Sequence, residues 1–252
     1  MKHVVFTDFD GTVTAKDTID AMYDAFGPDN WPAVAKDLYA RGLRSRQIIK
    51  RMLGMIDASR EQIVELLRTL PIREGFVEFR EFCRSNGYEL LIMSEGIGLS
   101  VETVLHERGI DDLPYFGNVL VQGHDGRWTT ENPHLHPDCS DCGNCKSTHI
   151  IDRKKEGDAA IYIGDGATDR CAAQVADIVF ATGYLAKFCA RTHIPFVPFD
   201  TFRDVIAEMA KGDFAMRLEA EAVRDLERKT TPPSLESTHL HCADRNPYDK
   251  GR

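Results

Sequence analysis

The sequence predicts an α/β protein whose parallel sheet is covered by helices on both faces, with a small helical segment inserted after the first strand. Short apolar runs that suit buried strands, such as residues 4–6 and 160–163, alternate with segments of helical spacing. Such alternation is typical of a doubly wound parallel sheet. Between about residues 17 and 70 the apolar positions follow helical spacing with no clear strand, which indicates the insert.

The elements follow one another in a regular order. The first strand, at residues 4–6, leads into the polar segment Asp8-Phe9-Asp10-Gly11-Thr12. After the insert we expect a helix from residue 76, a strand at 88–93, a helix near 101–105 and a hairpin around 119–126. A helix from Lys146, a strand at 160–163 and shorter strands near 178–180 and 196–197 complete the pattern. The chain therefore divides into a core (1–14 and 72–228), a helical cap (15–71) and a loosely ordered tail (229–252).

Composition and charge narrow the class of protein. The chain has 252 residues, of which 42% are hydrophobic and 28% charged, as in an ordinary globular protein. A formal net charge of -9 argues against a nucleic-acid partner, which requires a basic surface. We find no signal-peptide pattern and no apolar stretch that could span a membrane, so we expect a cytoplasmic protein without a membrane partner. Nothing in the sequence indicates an oligomeric state.

Polar side chains follow three of the predicted strands. Asp8 and Asp10 come after the first, Ser94 after the strand at 88–93, and Asp165 and Asp169 after the strand at 160–163. In a parallel sheet of this kind, ligands bind at the carboxyl ends of the strands. We therefore expect these side chains, which are far apart in sequence, to surround one crevice.

The chemistry that these groups suggest is phosphoryl transfer. Paired carboxylates attract a hard cation such as Mg²⁺, which offsets their repulsion of a phosphate. An ionised Asp8 can attack phosphorus, and Asp10 can protonate the leaving group and then activate water. Taken alone, each feature also has a structural explanation: a capped turn for Asp8 and Asp10, a helix cap for Ser94 and a solvated charge for Lys146.

The motifs together resemble those of the haloacid dehalogenase superfamily. The segments that carry the resemblance, in order, are Asp8-Phe9-Asp10-Gly11-Thr12, Ser94, Lys146 and Gly164-Asp165-Gly166-Ala167-Thr168-Asp169. The resemblance implies that Asp8 is the nucleophile and Asp10 the general acid/base. It also implies that Asp8, the carbonyl of Asp10 and Asp165 hold Mg²⁺ with support from Asp169, and that Ser94 and Lys146 bind the phosphoryl oxygens.

The insert resembles the cap of the phosphoserine-phosphatase-like branch of this superfamily, which closes over the substrate. Asp17 falls where that branch places a carboxylate that reads the leaving group, although phosphoserine phosphatases usually carry glutamate there. Lys50 and Arg51 are the nearest candidates for the arginine of that cap, but an exposed helix face explains them equally well.

Within this branch the sequence is most similar to the methionine-salvage phosphatases that act on 2-hydroxy-3-keto-5-methylthiopentenyl-1-phosphate. The similar segments are Arg51-Met52-Leu53-Gly54, Ile72-Arg73-Glu74-Gly75-Phe76 and the cysteine-rich loop that ends in Cys145-Lys146. Phosphoethanolamine/phosphocholine phosphatases resemble it more distantly. The resemblance implies a small-molecule phosphate monoester as substrate, with phosphoserine, phosphoethanolamine and phosphocholine as alternatives.

The cysteine-rich loop suggests a second site. Three of the seven cysteines, Cys139, Cys142 and Cys145, stand at two-residue gaps, and with His136 they could bind Zn²⁺. A tight loop with buried thiols or a reversible disulfide would give the same pattern. This loop also leaves open a different class of function, a non-catalytic metal- or redox-sensing module. Among enzymes, a phosphotransferase or mutase is a further alternative, because it would form the same aspartyl-phosphate.

Overall fold

The architecture was determined from a computed structural model that describes residues 2–155, 157–214 and 216–218. The predicted tail, 229–252, lies outside the described residues. Seven strands form one sheet in the order β4-β3-β2-β1-β5-β6-β7. Their bounds are β1 His3–Asp8, β2 Tyr88–Ile97, β3 Tyr115–Gln122, β4 Trp128–Glu131, β5 Ala159–Gly164, β6 Ile178–Ala181 and β7 Val197–Pro198.

The strand pairing confirms the predicted α/β class. All neighbouring strands are parallel except β3 and β4, which form the predicted hairpin. The helices are α1 Thr18–Phe26, α2 Trp31–Ala40, α3 Ser45–Leu53, α4 Arg60–Thr69, α5 Phe76–Ser85, α6 Gly98–His106, α7 Lys146–Arg153, α8 Arg170–Val175, α9 Gly183–Thr192 and α10 Phe202–Met209. A single 3₁₀ turn, Ala167–Asp169, precedes α8.

The sheet is buried on both faces. Along β1, Val5 packs into one hydrophobic cluster with α5, α6 and α10, whereas Val4 and Phe6 pack into a second cluster with α7, α8 and α9. Because side chains of a strand alternate between faces, one apolar run of β1 supplies both clusters. This double cover explains why the strands are continuously apolar, and it leaves the strand ends as the place for polar groups.

Four helices, α1 to α4, lie between β1 and α5 and correspond to the segment that the sequence predicts as a cap. Its two ends meet, because Thr14 and Ile72 form an isolated antiparallel bridge and the amide of Ala15 donates to the carbonyl of Pro71 at 3.0 Å. Buried residues of these helices, among them Met22, Ile48 and Leu67, belong to the same hydrophobic cluster as Val5. These contacts agree with the predicted boundaries of the helical cap, between residues 14 and 15 and between residues 71 and 72. The boundaries themselves stay a prediction.

No helix within the described residues is long and apolar enough to cross a membrane.

Candidate active site

The acidic segment after β1 lies at the carboxyl edge of the sheet, in its centre. Asp8 is the last residue of β1 and is 4% exposed, because β2 and β5 flank it on both sides. Gly11 turns the chain with φ 82°, and a Cβ there would lie 2.7 Å from Oδ2 of Asp165. The glycine therefore meets two requirements of this turn, a left-handed conformation and a close approach of the second acidic segment.

Lys146 connects the acidic groups from two strands. Its Nζ lies 2.5 Å from Oδ1 of Asp8 and 2.6 Å from Oδ1 of Asp169, and its side chain is 1% exposed. Burial alone lowers the pKa of Lys146, but attraction by Asp169 and Asp8 outweighs it and raises the pKa above its usual value. These two carboxylates thus stabilise the charged form of the ammonium.

Asp169 is fixed by a complete set of donors. Tyr162 donates its hydroxyl to Oδ1 at 2.5 Å, while the amides of Asp165 and Gly166 donate to Oδ2 at 3.0 and 2.8 Å. Its carboxylate is fully buried. With Lys146 added, both oxygens accept hydrogen bonds, so the carboxylate of Asp169 is held in one position.

Asp8, Asp165 and Asp169 can hold a metal ion together. One carboxylate oxygen of each lies within 4.8 Å of the other two. Burial, then repulsion by Asp169, raises the pKa of Asp8 well above its usual value and that of Asp165 to about 6. Thr12 opposes the shift at Asp165 by donating to Oδ1 at 2.6 Å. Because a bound cation would relieve this crowding of like charges, the oxygen-rich set fits a hard divalent ion such as Mg²⁺.

Asp10 faces a different pair of partners. Its Oδ1 accepts from the amide and hydroxyl of Thr18 at 3.1 and 2.5 Å, and its Oδ2 accepts from the Ser94 hydroxyl at 2.8 Å. Ser94 lies inside β2, not after it, because the strand continues to Ile97 through a register shift relative to β3. The structure thus brings Ser94 to the carboxyl edge as predicted, although the strand end was placed too early.

Arg73 braces the turn after β1. Its guanidinium donates to the carbonyls of Gly11 and Thr12, the latter at 2.9 Å, and to the carbonyl of Asp200 at 2.8 Å. It thereby ties the acidic turn to the segment before α10. The sequence singled out Arg73 only as part of a similarity pattern and gave no sign of this contact.

The acidic residues open into a cavity of about 1450 Å³ between the sheet edge and α1 to α3. The lining includes Asp8, Asp10, Glu95 and Asp165 on the sheet side. On the helical side it includes an apolar wall of Ile19, Tyr23, Trp31, Pro32 and Ile49 and the charged residues Lys16, Asp17, Asp20 and Lys36. The rings of Tyr23 and Trp31 pack against each other with centroids 5.3 Å apart.

The predicted cap residues have different positions. Asp17 lines the cavity, but its Oδ1 caps α1 by accepting from the amides of Ile19 and Asp20 at 2.9 and 3.1 Å. Burial, followed by repulsion from Asp10 and Asp20, raises the pKa of Asp17 well above its usual value. Neither Lys50 nor Arg51 is among the described residues that line the cavity.

The structure does not support the zinc site suggested by the cysteine-rich loop. Among the described residues, no group drawn from Cys139, Cys142, Cys145 and His136 has three ligand atoms within 4.8 Å of one another. Cys145 contacts the hydroxyl of Thr148 at 3.1 Å, whereas the thiol of Cys142 forms a hydrogen bond with Cys139. The thiols of Cys142 and Cys145 therefore have protein partners within the loop and at the start of α7.

The loop instead joins the helical segment to the site. The amides of Arg46 and Ser45, at the start of α3, donate to the carbonyl and side chain of Asp141 at 2.9 and 3.3 Å. The same loop ends at Lys146, the first residue of α7. The indole of Trp128 in β4 also donates to the carbonyl of Ala58 at 2.8 Å, which adds a second contact to the helical segment.

Residues 3–184 match a family described as Putative Phosphatase. The chain is 34% identical over 208 residues to the 2-hydroxy-3-keto-5-methylthiopentenyl-1-phosphate phosphatase of Brevibacillus brevis, covering 81% of this chain and 94% of the relative.

Two solved structures are similar in fold. One is a phospho-aspartyl intermediate analogue of phosphoserine phosphatase (TM-score 0.62, 19% identity, 82% of this chain and 98% of that one). The other is a HAD family hydrolase from Salmonella enterica serovar Typhi (TM-score 0.61, 17% identity, 79% of this chain and 68% of that one). The chain therefore belongs to the Putative Phosphatase family, has the haloacid dehalogenase fold and is a phosphoric monoester hydrolase.

Proposed function

We propose that the protein is a Mg²⁺-dependent phosphatase that forms an aspartyl-phosphate on Asp8. The observation that carries this proposal is that Asp8, Asp10 and Asp165 line the cavity together. Ser94 and Lys146 lie directly behind them, in contact with Asp10 and Asp8. Asp8 ends β1 with its carboxylate 2.5 Å from the ammonium of Lys146, which favours the ionised form that a nucleophile requires.

Asp8 and Asp10 have different roles in the proposed reaction. An Asp8 oxygen attacks phosphorus while the bond from phosphorus to the alcohol oxygen breaks, and Asp10 gives that oxygen a proton. Water then attacks the same phosphorus, loses its proton to Asp10 and releases inorganic phosphate and free Asp8. Mg²⁺, held by Asp8, Asp165 and the carbonyl of Asp10 with Asp169 in support, would offset the negative charge of the phosphoryl group.

Ser94 and Lys146 would receive the phosphoryl oxygens, since a hydroxyl and an ammonium at this edge stabilise charge where it accumulates in the transition state. Ser94 now donates to Oδ2 of Asp10 at 2.8 Å. When that hydroxyl turns to a phosphoryl oxygen, Oδ2 becomes free to carry the transferred proton. Thr18 keeps Oδ1 in place throughout.

We further propose 2-hydroxy-3-keto-5-methylthiopentenyl-1-phosphate as the substrate. Support comes from the named relative and from the apolar wall of Ile19, Tyr23, Trp31 and Ile49, which suits a thioether chain better than the charged ammonium and carboxylate of phosphoserine. A small metabolite as substrate also supports the cytoplasm as the location that we propose.

The test is phosphate release from this substrate, phosphoserine, phosphoethanolamine, phosphocholine and p-nitrophenyl phosphate, with Mg²⁺ and with EDTA. Asp8→Asn should lose several orders of magnitude in kcat, because the amide oxygen is a poor nucleophile. The thioether substrate should exceed the others about tenfold or more in kcat/KM, the scale of discrimination that an apolar pocket provides. Retained activity in Asp8→Asn would refute the mechanism, and an equal response to all esters would refute the substrate.

A further inference from the structure

Glu95 is a buried carboxylate for which the proposed mechanism has no use. It directly follows Ser94 in β2, is 7% exposed and lines the cavity. Its Oε1 accepts from the amide of Gly143 at 2.7 Å and its Oε2 from the amide of Asn144 at 3.0 Å. A carboxylate in such a place is costly unless both oxygens are satisfied, and here two backbone donors satisfy them.

The partners of Glu95 lie immediately before the phosphate-binding lysine. Gly143 and Asn144 precede Cys145, and Lys146 begins α7. A side chain at position 143 would not fit, since a Cβ there would lie 2.7 Å from Nδ2 of Asn132. The two charge-assisted hydrogen bonds therefore fix the backbone two and three residues before Lys146 against the strand that carries Ser94.

The side chain of Asn144 also ties this loop to β2 and β3. Its amide nitrogen donates to the carbonyl of Ser94 at 2.8 Å and to that of Phe116 at 3.0 Å. Its amide oxygen contacts Nε2 of His149 at 2.6 Å. A short buried network of hydrogen bonds, which includes the carboxylate of Glu95, thus joins Ser94 to Lys146. These two residues lie on different elements and are 52 positions apart in sequence.

We infer that Glu95 is a positioning residue: by clamping the amides of Gly143 and Asn144 it fixes Lys146 at the correct distance from Ser94 for the three oxygens of one phosphoryl group. This inference rests on the proposed function, because it assigns phosphate binding to Ser94 and Lys146. A general-acid role for Glu95 does not fit, since both of its oxygens already accept backbone hydrogen bonds.

The test compares Glu95→Gln with Glu89→Gln, a matched control on the same strand whose side chain is 42% exposed. Glutamine has nearly the same shape but turns one acceptor into a donor, which then faces a backbone N–H group. We expect Glu95→Gln to lower kcat/KM for p-nitrophenyl phosphate and to weaken competitive inhibition by inorganic phosphate, each by about 10- to 100-fold, because a displacement of about 1 Å has effects of this size. The Mg²⁺ concentration for half-maximal activity should stay within about twofold, because no oxygen of Glu95 belongs to the aspartate group.

A double-mutant cycle with Lys146→Met separates positioning from general destabilisation. If Glu95 acts through Lys146, the loss in kcat/KM from Glu95→Gln should largely disappear in the Lys146→Met background. Additive losses, or unchanged phosphate inhibition in Glu95→Gln, would overturn the inference.

Should Glu95→Gln yield no folded protein, Glu95→Asp is measured instead. It keeps both acceptors with a shorter reach, so the same pattern is expected at smaller size, and wild-type values would overturn the inference. Inactive Asp8→Asn beside wild-type behaviour of the Glu95 variants refutes only the positioning role, whereas active Asp8→Asn refutes the proposed function.

Discussion

Replacing Lys146 by methionine tests how strongly the buried charges of the site depend on one another. The ammonium lies 2.5 Å from Asp8 and 2.6 Å from Asp169, and the three side chains are almost completely buried. At an effective dielectric constant of about 20, each attraction is about 6 kcal/mol before the desolvation of the charges is subtracted. Removing one partner of such a buried pair typically lowers the free energy of unfolding by about 3–5 kcal/mol.

We expect Lys146→Met to fall in this range, and Asp8 should account for most of the loss. Asp169 keeps the hydroxyl of Tyr162 and two backbone amides as donors, whereas Lys146 is the cation bound to Asp8. With a urea dependence of roughly 2–3 kcal/mol per molar, the unfolding midpoint should shift by about 1–2 M. The assay is urea unfolding in EDTA, followed by circular dichroism.

The matched control is Lys187→Met, an exposed lysine at the cavity rim, which should change the free energy of unfolding by less than about 0.5 kcal/mol. Adding Asp8→Asn to Lys146→Met should recover part of the loss, because the carboxylate that has lost its cation is then replaced by a neutral amide. Equal midpoints for the two lysine variants would show that the buried ion pairs do not stabilise the fold.

Two further predictions concern the metal and the geometry of Asp10. Burial, then repulsion by Asp169, raises the pKa of Asp165 to about 6 in the metal-free protein, so protons compete with Mg²⁺ below that pH. Titration calorimetry should show an affinity that falls roughly tenfold per pH unit below 6, and equal affinities at pH 5 and 7 would contradict this. Gly96→Ala should reduce kcat about 100-fold, since its Cβ would lie 2.7 Å from Oδ2 of Asp10, while the melting temperature changes little. Gly212→Ala, where nothing lies within 4 Å, is the control, and equal kcat values for the two variants would refute the steric argument.

The central part of the fold and of the site was predictable because it depends on local signals. Asp8 ends one short apolar run and Asp165 follows another. Neighbouring parallel strands bring their carboxyl ends to the same edge of the sheet. The hairpin of β3 and β4 was visible from its turn sequence. These features need only the periodicity of the chain and the geometry of a parallel sheet.

The remaining features depend on contacts between distant segments. The register shift that carries β2 beyond Met93 is fixed by Asn118, whose amide donates to the carbonyls of Glu95 and Gly96. Nothing local to residues 94–97 indicates this contact. In the same way, the sequence around Glu95 does not show that its carboxylate is buried and hydrogen-bonded. Its partners Gly143 and Asn144 lie 48 and 49 positions further along the chain.

The helical cap shows the same limit. The apolar spacing between residues 17 and 70 predicted helices, and Ile48 and Met52 are buried in α3. The same spacing did not show whether Lys50 and Arg51 face the substrate. In the structure, α3 is oriented so that the side chain of Ile49 lines the cavity. An amphipathic pattern gives the buried face of a helix, whereas its rotation relative to a cavity depends on the neighbouring elements, here β4 and the loop at Asp141.

The bridge between Thr14 and Ile72 brings the two ends of the helical segment side by side at the edge of the core. A segment that leaves and returns at one point lets the chain on either side of it continue without a gap, so β1 and α5 keep their places in the core. Substitutions of the wall residues Ile19, Tyr23 and Ile49 should therefore change the shape of the cavity while Asp8, Lys146 and Asp165 keep their relative positions. Thr18 is the exception within the segment, because it donates to Asp10 and so belongs to the proposed chemistry.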